Sequence, residues 1–210
     1  HWENKDARTG LWIMLMLLCG LRRGEMMALR WENINLEERT LDVCEVAVIT
    51  GNQAEIEERA KTDAGLRTLP ICKALYDSLC SVPEKQRTGL VCRSAKGKQL
   101  SESAVARGLE QFCTVVERIL NGEPTDQQGY RKDIREKKAK AAGIVVACEP
   151  PEERKTFSFR CHDLRYTYAT ALYDAGVPVK AAQYFLGHSD IKITLALYIQ
   201  LSKERKKKSR

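Results

Sequence analysis

An apolar run of nine residues, Leu11 to Cys19, stands near the start of the chain and is ended by Gly20. Residues 6–19 and the stretch after Arg22 are expected to form two helices, broken at Cys19-Gly20. From Thr40 the pattern changes. Leu41, Val43 and the segment Glu45 to Ile49 are rich in β-branched residues and stop at Thr50-Gly51-Asn52, a turn signal. Further strands are expected across 54–59 and 67–71, with a second turn at Asp63-Ala64-Gly65, so Lys61 falls at or just before the turn between them. Helical spacing resumes with Leu109, Phe112, Val116 and Ile119 behind Ser101 as N-cap, and Asn121 to Pro124 closes that helix. From Cys161 three short helical stretches run to Tyr198, punctuated by Gly176-Val177-Pro178 and by Gly187. The pattern predicts an α+β fold, mainly α, with a small three-stranded antiparallel sheet in the N-terminal third.

Composition narrows the class. The 210 residues are 43% hydrophobic and 30% charged, which builds a core and argues against a disordered chain. The nine-residue apolar run is short of the about 20 residues a membrane span needs, and no membrane partner is expected. Eight cysteines without a CxxC pair read as reduced, mostly buried thiols of a cytoplasmic protein, with no zinc site. The formal charge is +7. Lys203 to Arg210 holds six basic residues and one acidic, a net +5, and is expected to fray. Residues 130–142 carry a further +4, as a solvated or a phosphate-contacting face, leaving about −2 elsewhere. Global charge is therefore a poor argument for nucleic acid; local placement of cations is the better one.

Two histidines, His162 and His188, sit in short polar motifs rather than in apolar runs. His162 precedes Arg165, and Arg22 precedes Glu25, each by three residues, a spacing that puts both members on one helix side. His188 follows Gly187, a glycine that permits a turn aiming the ring outward. Two arginines, two histidines, one lysine and a supporting glutamate have no ligand spacing for a metal. Such a cage suits a phosphoryl group, because guanidinium forks match phosphate oxygens and stay charged at any working pH. Tyr166, Tyr168, Tyr173, Tyr184 and Tyr198 are indistinguishable as nucleophiles on this reading, each being by default a buried aromatic.

Four ordered segments resemble the tyrosine recombinases, also called the phage integrase family, across about residues 10 to 200. Gly20-Leu21-Arg22-Arg23-Gly24-Glu25, followed by Ala28 to Ile34, is similar to the family's first arginine box. Lys61-Thr62 followed by Arg67-Thr68-Leu69-Pro70 resembles its β-hairpin lysine segment. His162-Asp163-Leu164-Arg165 resembles the HxxR box, and Leu186-Gly187-His188-Ser189-Asp190 with Tyr198 resembles the nucleophile segment.

The resemblance implies roles. Tyr198 would attack the scissile phosphodiester, Arg22 and Arg165 would grip the non-bridging oxygens, and Lys61 would protonate the leaving 5′-oxygen. His162 would act as acid/base near the tyrosine, His188 would hydrogen-bond the phosphate, and Glu25 would hold the arginine side in place. It implies a site-specific DNA recombinase, the integrase of a mobile element or phage, working without cofactor or metal as a homotetramer on double-stranded DNA, with no small-molecule substrate. A chromosome-dimer resolvase or a type IB topoisomerase-like enzyme would share the chemistry, and a non-catalytic DNA-binding module is the third reading. Residues 1–202 are expected to be the catalytic domain and 203–210 a basic tail, with core-binding and arm-binding domains outside this chain. The sequence departs from the family pattern at Tyr166, where a histidine is common, at Ile199-Gln200, where Thr-His is frequent, and in the length of residues 121–157.

Overall fold

The computed structural model describes residues 5–50, 53–58, 65–94, 96–123, 125 and 155–208. The chain divides into two compact units, residues 1–106 together with 160–210, and residues 107–159.

In the first unit, helix α1 (Lys5–Cys19) buries Leu11, Trp12, Leu15, Met16 and Cys19. Their spacing of three to four residues keeps them on one face. Gly20 adopts φ +62° and lies against the Tyr168 ring, where a Cβ would come within 2.2 Å of Cδ1. The chain turns there and enters α2 (Arg23–Ala28), whose residues from Glu25 to Ala28 are all buried. Both helices expected at this end, and the break between them, are present.

The strands follow in pairs. The segment expected as one strand over 41–49 divides at Cys44 into β2 (Thr40–Val43) and β3 (Glu45–Thr50), preceded by a short β1 (Ile34–Asn35). A two-residue connection returns β4 (Gln53–Glu58) along β3, with Thr50 opposite Gln53. That leaves β2 to take β5 (Arg67–Pro70) on one side and β1 on the other. The three-stranded antiparallel sheet is thus β1-β2-β5, not the set 41–49, 54–59 and 67–71, and β3-β4 forms a separate ladder. In the β2–β5 pair Leu41 faces Leu69 and Val43 faces Arg67. Strand alternation turns Arg67 and Leu69 inward and Thr68 and Pro70 outward. An arginine therefore occupies a core-facing position.

Helix α3 (Lys73–Cys80) buries Leu75 and Leu79. Helix α4 (Glu102–Leu120) is capped by Ser101, whose Oγ accepts the Ala104 N–H at 3.2 Å. Helices α5 (Cys161–Asp174), α6 (Val179–Leu186) and α7 (Ile191–Lys208) complete the first unit. The segment expected to fray is helical as far as Lys208, and Arg205 donates from Nε to Asp174 at 3.0 Å. Of the seven described cysteines, all free thiols, Cys19, Cys92 and Cys113 are buried while Cys72 is exposed, against the expectation of mostly buried thiols.

In the second unit, Phe112 and Phe157 each meet Phe159 edge to face, at 6.3 and 5.6 Å. Asn121 holds the Lys155 backbone through both its amide atoms. The basic stretch 130–142 lies outside the described residues. Among the described residues, no helix is long and apolar enough to cross a membrane and no cluster of His, Cys, Asp or Glu could hold a metal ion.

Leu69, fully buried at the centre of β5, sets a test of the sheet register. Leu69→Ala should lower unfolding stability by about 2–5 kcal/mol. In urea this reads as a lower midpoint at unchanged slope; a loss below about 1 kcal/mol would place the residue outside the core.

Candidate functional site

The C-terminal end of α6 gathers the site. A helix ends with backbone carbonyls that have no partner inside it and carry the negative end of its dipole. At this helix end three consecutive carbonyls accept from three guanidiniums. Phe185 O accepts from Arg67 Nε at 2.9 Å, Leu186 O from Arg165 Nη2, and Gly187 O from Arg22 Nη2 at 2.7 Å. Gly187 takes the left-handed conformation, φ +59°, that ends the helix. A Cβ there would come within 2.7 Å of Arg67 Nη1, so the arginine and the glycine fit only together.

Three arginines at one point repel one another, and Glu25 is the countercharge. Its carboxylate accepts from Arg22 Nη1 at 2.9 Å and from the Arg22 backbone N–H at 2.8 Å. It also accepts from Arg67 Nη1 and Nη2 at 3.2 and 2.8 Å, a fork-on-fork pair whose two side chains are fully buried. Burial alone would raise the Glu25 carboxyl, but hydrogen bonds and charge from Arg67, then Arg22, hold it at about 2. Arg67 Nη1 also donates to Gly65 O at 2.9 Å.

Arg165, on α5, is buried and donates from Nη1 to Gly20 O and from Nη2 to Leu186 O. Burial first, then the charges of Arg22 and Arg67, bring its pKa down to about 9, which leaves it cationic at neutral pH. Arg22 is the more open of the two, with 37% of its side chain exposed. A guanidinium carries five N–H donors. Among the described residues, Arg22 directs Nη1 to Glu25 and Nη2 to Gly187 O, and Arg165 directs its two Nη atoms to Gly20 O and Leu186 O. The other N–H groups of each fork suit the oxygens of an anion.

His188 follows the turn. Its ring is half-buried rather than aimed outward, with Nδ1 2.9 Å from the hydroxyl of buried Thr194. Burial, then Arg165, Arg22 and Arg67, bring its pKa to about 4, so the imidazole is neutral at pH 7. It can hydrogen-bond an anion without adding a fourth cation.

Arg22, Glu25, Arg165 and His188 are thus brought together. His162 sits exposed on the first turn of α5 while Arg165 turns inward, so their shared spacing does not give them a shared environment. Tyr198, on α7, is buried, donates its hydroxyl to Val177 O at 3.1 Å and meets Tyr173 edge to face at 5.1 Å. Burial raises its pKa. Lys61 lies outside the described residues. The residue missed by sequence reasoning is Arg67, whose signal was its alternation with Leu69 and Ile71 on the inward side of a strand.

The profile described as the phage integrase family matches residues 1–205. The chain is 29% identical over 210 residues to a tyrosine recombinase XerC-like protein of Caldanaerobacter subterraneus subsp. tengcongensis, covering 96% of this chain and 48% of that protein. It is 23% identical over 186 residues to the transposase from transposon Tn916 of Enterococcus faecalis, covering 89% and 40%. The chain thus spans about half the length of the curated relatives it matches. Among solved structures, the Tn1549 transposon integrase in complex with circular intermediate DNA superposes with a TM-score of 0.61 at 21% identity, covering 96% of this chain and 58% of that one. The XerA recombinase gives 0.56 at 17%, covering 98% and 57%. At these identities the likeness is one of fold.

The His188 environment makes a prediction. Its folded pKa of about 4 lies below the ordinary 6.5, so the unfolded chain binds the proton first and stability falls as pH drops from 6.5 toward 4. NMR titration should show a neutral ring down to about pH 5, and His188→Gln should flatten this acid loss. A ring that titrates near 6.5 would remove the neutral-donor reading.

Proposed function

Because the chain belongs to the phage integrase family, we propose that it carries the catalytic machinery of a site-specific DNA recombinase, cleaving and rejoining strands through a 3′-phosphotyrosine. One observation carries this reading: Arg22 and Arg165, 143 positions apart in the chain, are anchored on adjacent carbonyls of one turn, beside a neutral His188. Two fixed cations and a neutral donor at one point are what a phosphodiester requires as negative charge builds on its non-bridging oxygens.

The chemistry balances without a cofactor. The Tyr198 oxygen attacks phosphorus and bonds to it, the bond to the 5′-oxygen breaks, and Lys61 supplies the proton that the leaving oxygen takes. The tyrosine proton passes to His162 as base. A free tyrosine has a pKa of about 10, so ionising it at pH 7 costs about 4 kcal/mol. Proximity to the arginines offsets much of that, which requires Tyr198 to leave Val177 O before attack. The ester energy is kept in the phosphotyrosine, so a 5′-hydroxyl reverses the step and rejoins the strand.

Double-stranded DNA is the substrate and a homotetramer on DNA the working assembly in this reading. Ile191, Leu195 and Ile199, exposed at successive turns of α7, supply an apolar stripe for contact with a second copy. The Tn916 transposase relative and the Tn1549 integrase neighbour support a mobile-element integrase, which in this reading acts in the cytoplasm.

A nicked suicide duplex built from the DNA flanking the coding sequence tests the chemistry. The chain should form a covalent adduct with it, and Tyr198→Phe should form none; equal adduct from that variant refutes the nucleophile. Arg22→Ala and Arg165→Ala should each slow cleavage by at least about 10²-fold while leaving salt-sensitive DNA binding in place.

The Lys61 role has its own test. Lys61→Ala should cleave an ordinary duplex poorly. It should recover on a duplex whose 5′-bridging oxygen is replaced by sulfur, because a thiolate leaves without needing a proton. No recovery would assign the leaving-group proton to another residue.

A further inference from the structure

Arg67 stands inside the protein at the point where the site's charges meet, and its contacts decide what it can do. Nε donates to Phe185 O, Nη1 to Gly65 O and Glu25, and Nη2 to Glu25, which uses four of the five N–H donors of a guanidinium. The side chain is fully buried. Fully buried and with a single donor left, it cannot grip DNA. What it touches, however, touches Arg22. Glu25 accepts from Arg22 at Nη1 and at the backbone N–H, and the carbonyl two residues beyond Phe185, that of Gly187, accepts from Arg22 Nη2. Arg67 therefore holds one anchor of the Arg22 guanidinium, Glu25, directly, and the helix end that carries the other through Phe185 O.

We propose that Arg67 is a positioning residue of the DNA-cleavage site, clamping Glu25 and the end of α6 together so that the Arg22 guanidinium is fixed in its phosphate-gripping orientation. The DNA half of this statement rests on the recombinase reading; the orientation of Arg22 does not. A lysine cannot replace the arginine, because a single ammonium lacks the fork that spans both carboxylate oxygens while Nε reaches a carbonyl. Misplacing a catalytic group by about 1 Å costs on the order of 10²-fold in rate, so the clamp acts on cleavage and leaves DNA affinity, which many phosphate contacts share, nearly unchanged.

The groups facing the Glu25 carboxylate are Arg22 before α2, Arg67 on β5, Arg165 on α5 and, beyond them, His188. Without Arg67, burial raises the Glu25 carboxyl. Cleavage by Arg67→Met then gains an acid limb, falling as pH is lowered through the raised value, which the wild-type chain with Glu25 at about 2 does not show.

The experiment compares the full chain with Arg67→Lys, and with the paired variant Glu25→Gln, Arg67→Met, which removes both buried charges together and so spares the fold the cost of an unpaired buried charge. Side-chain NMR of the Arg22 guanidinium reads orientation without DNA: its Nη protons are resolved and protected in the wild type and collapse in both variants. On the nicked duplex, adduct formation slows by about 10²-fold in both, at unchanged DNA affinity. Unchanged Arg22 signals in Arg67→Lys overturn the proposal, as does recovery of the adduct rate in the folded paired variant, which would make the clamp a matter of stability alone. If the wild-type chain forms no adduct while the Arg22 signals still collapse, the recombinase reading falls and the positioning of Arg22 by Arg67 stands.

Discussion

Everything in the first unit converges on the unmet hydrogen-bonding needs of one helix end. The last carbonyls of α6 point out of the helix with nothing of their own to accept from, and Arg67, Arg165 and Arg22 satisfy three of them in succession. The arrangement is favourable on the helix side, where cations meet the negative end of the dipole. It is unfavourable among the arginines, whose mutual repulsion adds to burial in lowering the pKa of Arg165. Glu25 reconciles the two. Its carboxylate is buried, which alone would favour the neutral acid, yet it is held ionised by the cations it serves. Buried ion pairs of this kind seldom add net stability relative to apolar residues of the same shape, and removing one partner is what costs most. The pair is better understood as fixing geometry.

That geometry also sorts the residues by readiness. Arg22 and Arg165 are anchored by backbone carbonyls that move only with the fold, and His188 by the Thr194 hydroxyl. Tyr198 is engaged elsewhere, its hydroxyl on Val177 O and its ring on Tyr173, both belonging to the helix α5 and the connection after it. The arginine cluster and the placement of Tyr198 are thus separate structural properties, one built into the α6 terminus and the other into how α7 packs.

The helices and their punctuation were legible in the sequence because they are local: the apolar period of α1, the Ser101 cap of α4 and the glycines at 20 and 187 each signal within a few residues. Strand partners were not legible, since β2 and β3 share one continuous β-rich segment and only the pairing choices of β4 and β5 divide it. Arg22, Arg165 and His188 were singled out by resemblance, and they gather at the α6 turn. The His188 environment was not legible, because burial and the charges of Arg165, Arg22 and Arg67, brought from distant parts of the chain, set it. Arg67 was hidden by its own chemistry: arginine is read as surface, and only the inward register it shares with Leu69 marks it as interior.

The three carbonyls at the end of α6 lie far down the chain from two of the arginines they hold. Synthesis proceeds from the N-terminus, so Arg22 and Arg67 emerge long before residues 185–187 exist to anchor them. A nascent or prematurely terminated chain that stops short of Phe185 has the cations without the scaffold that spaces them. It carries them only as loosely held charge, and the ordered cluster arises when residues 185–187 fold back onto Arg22 and Arg67.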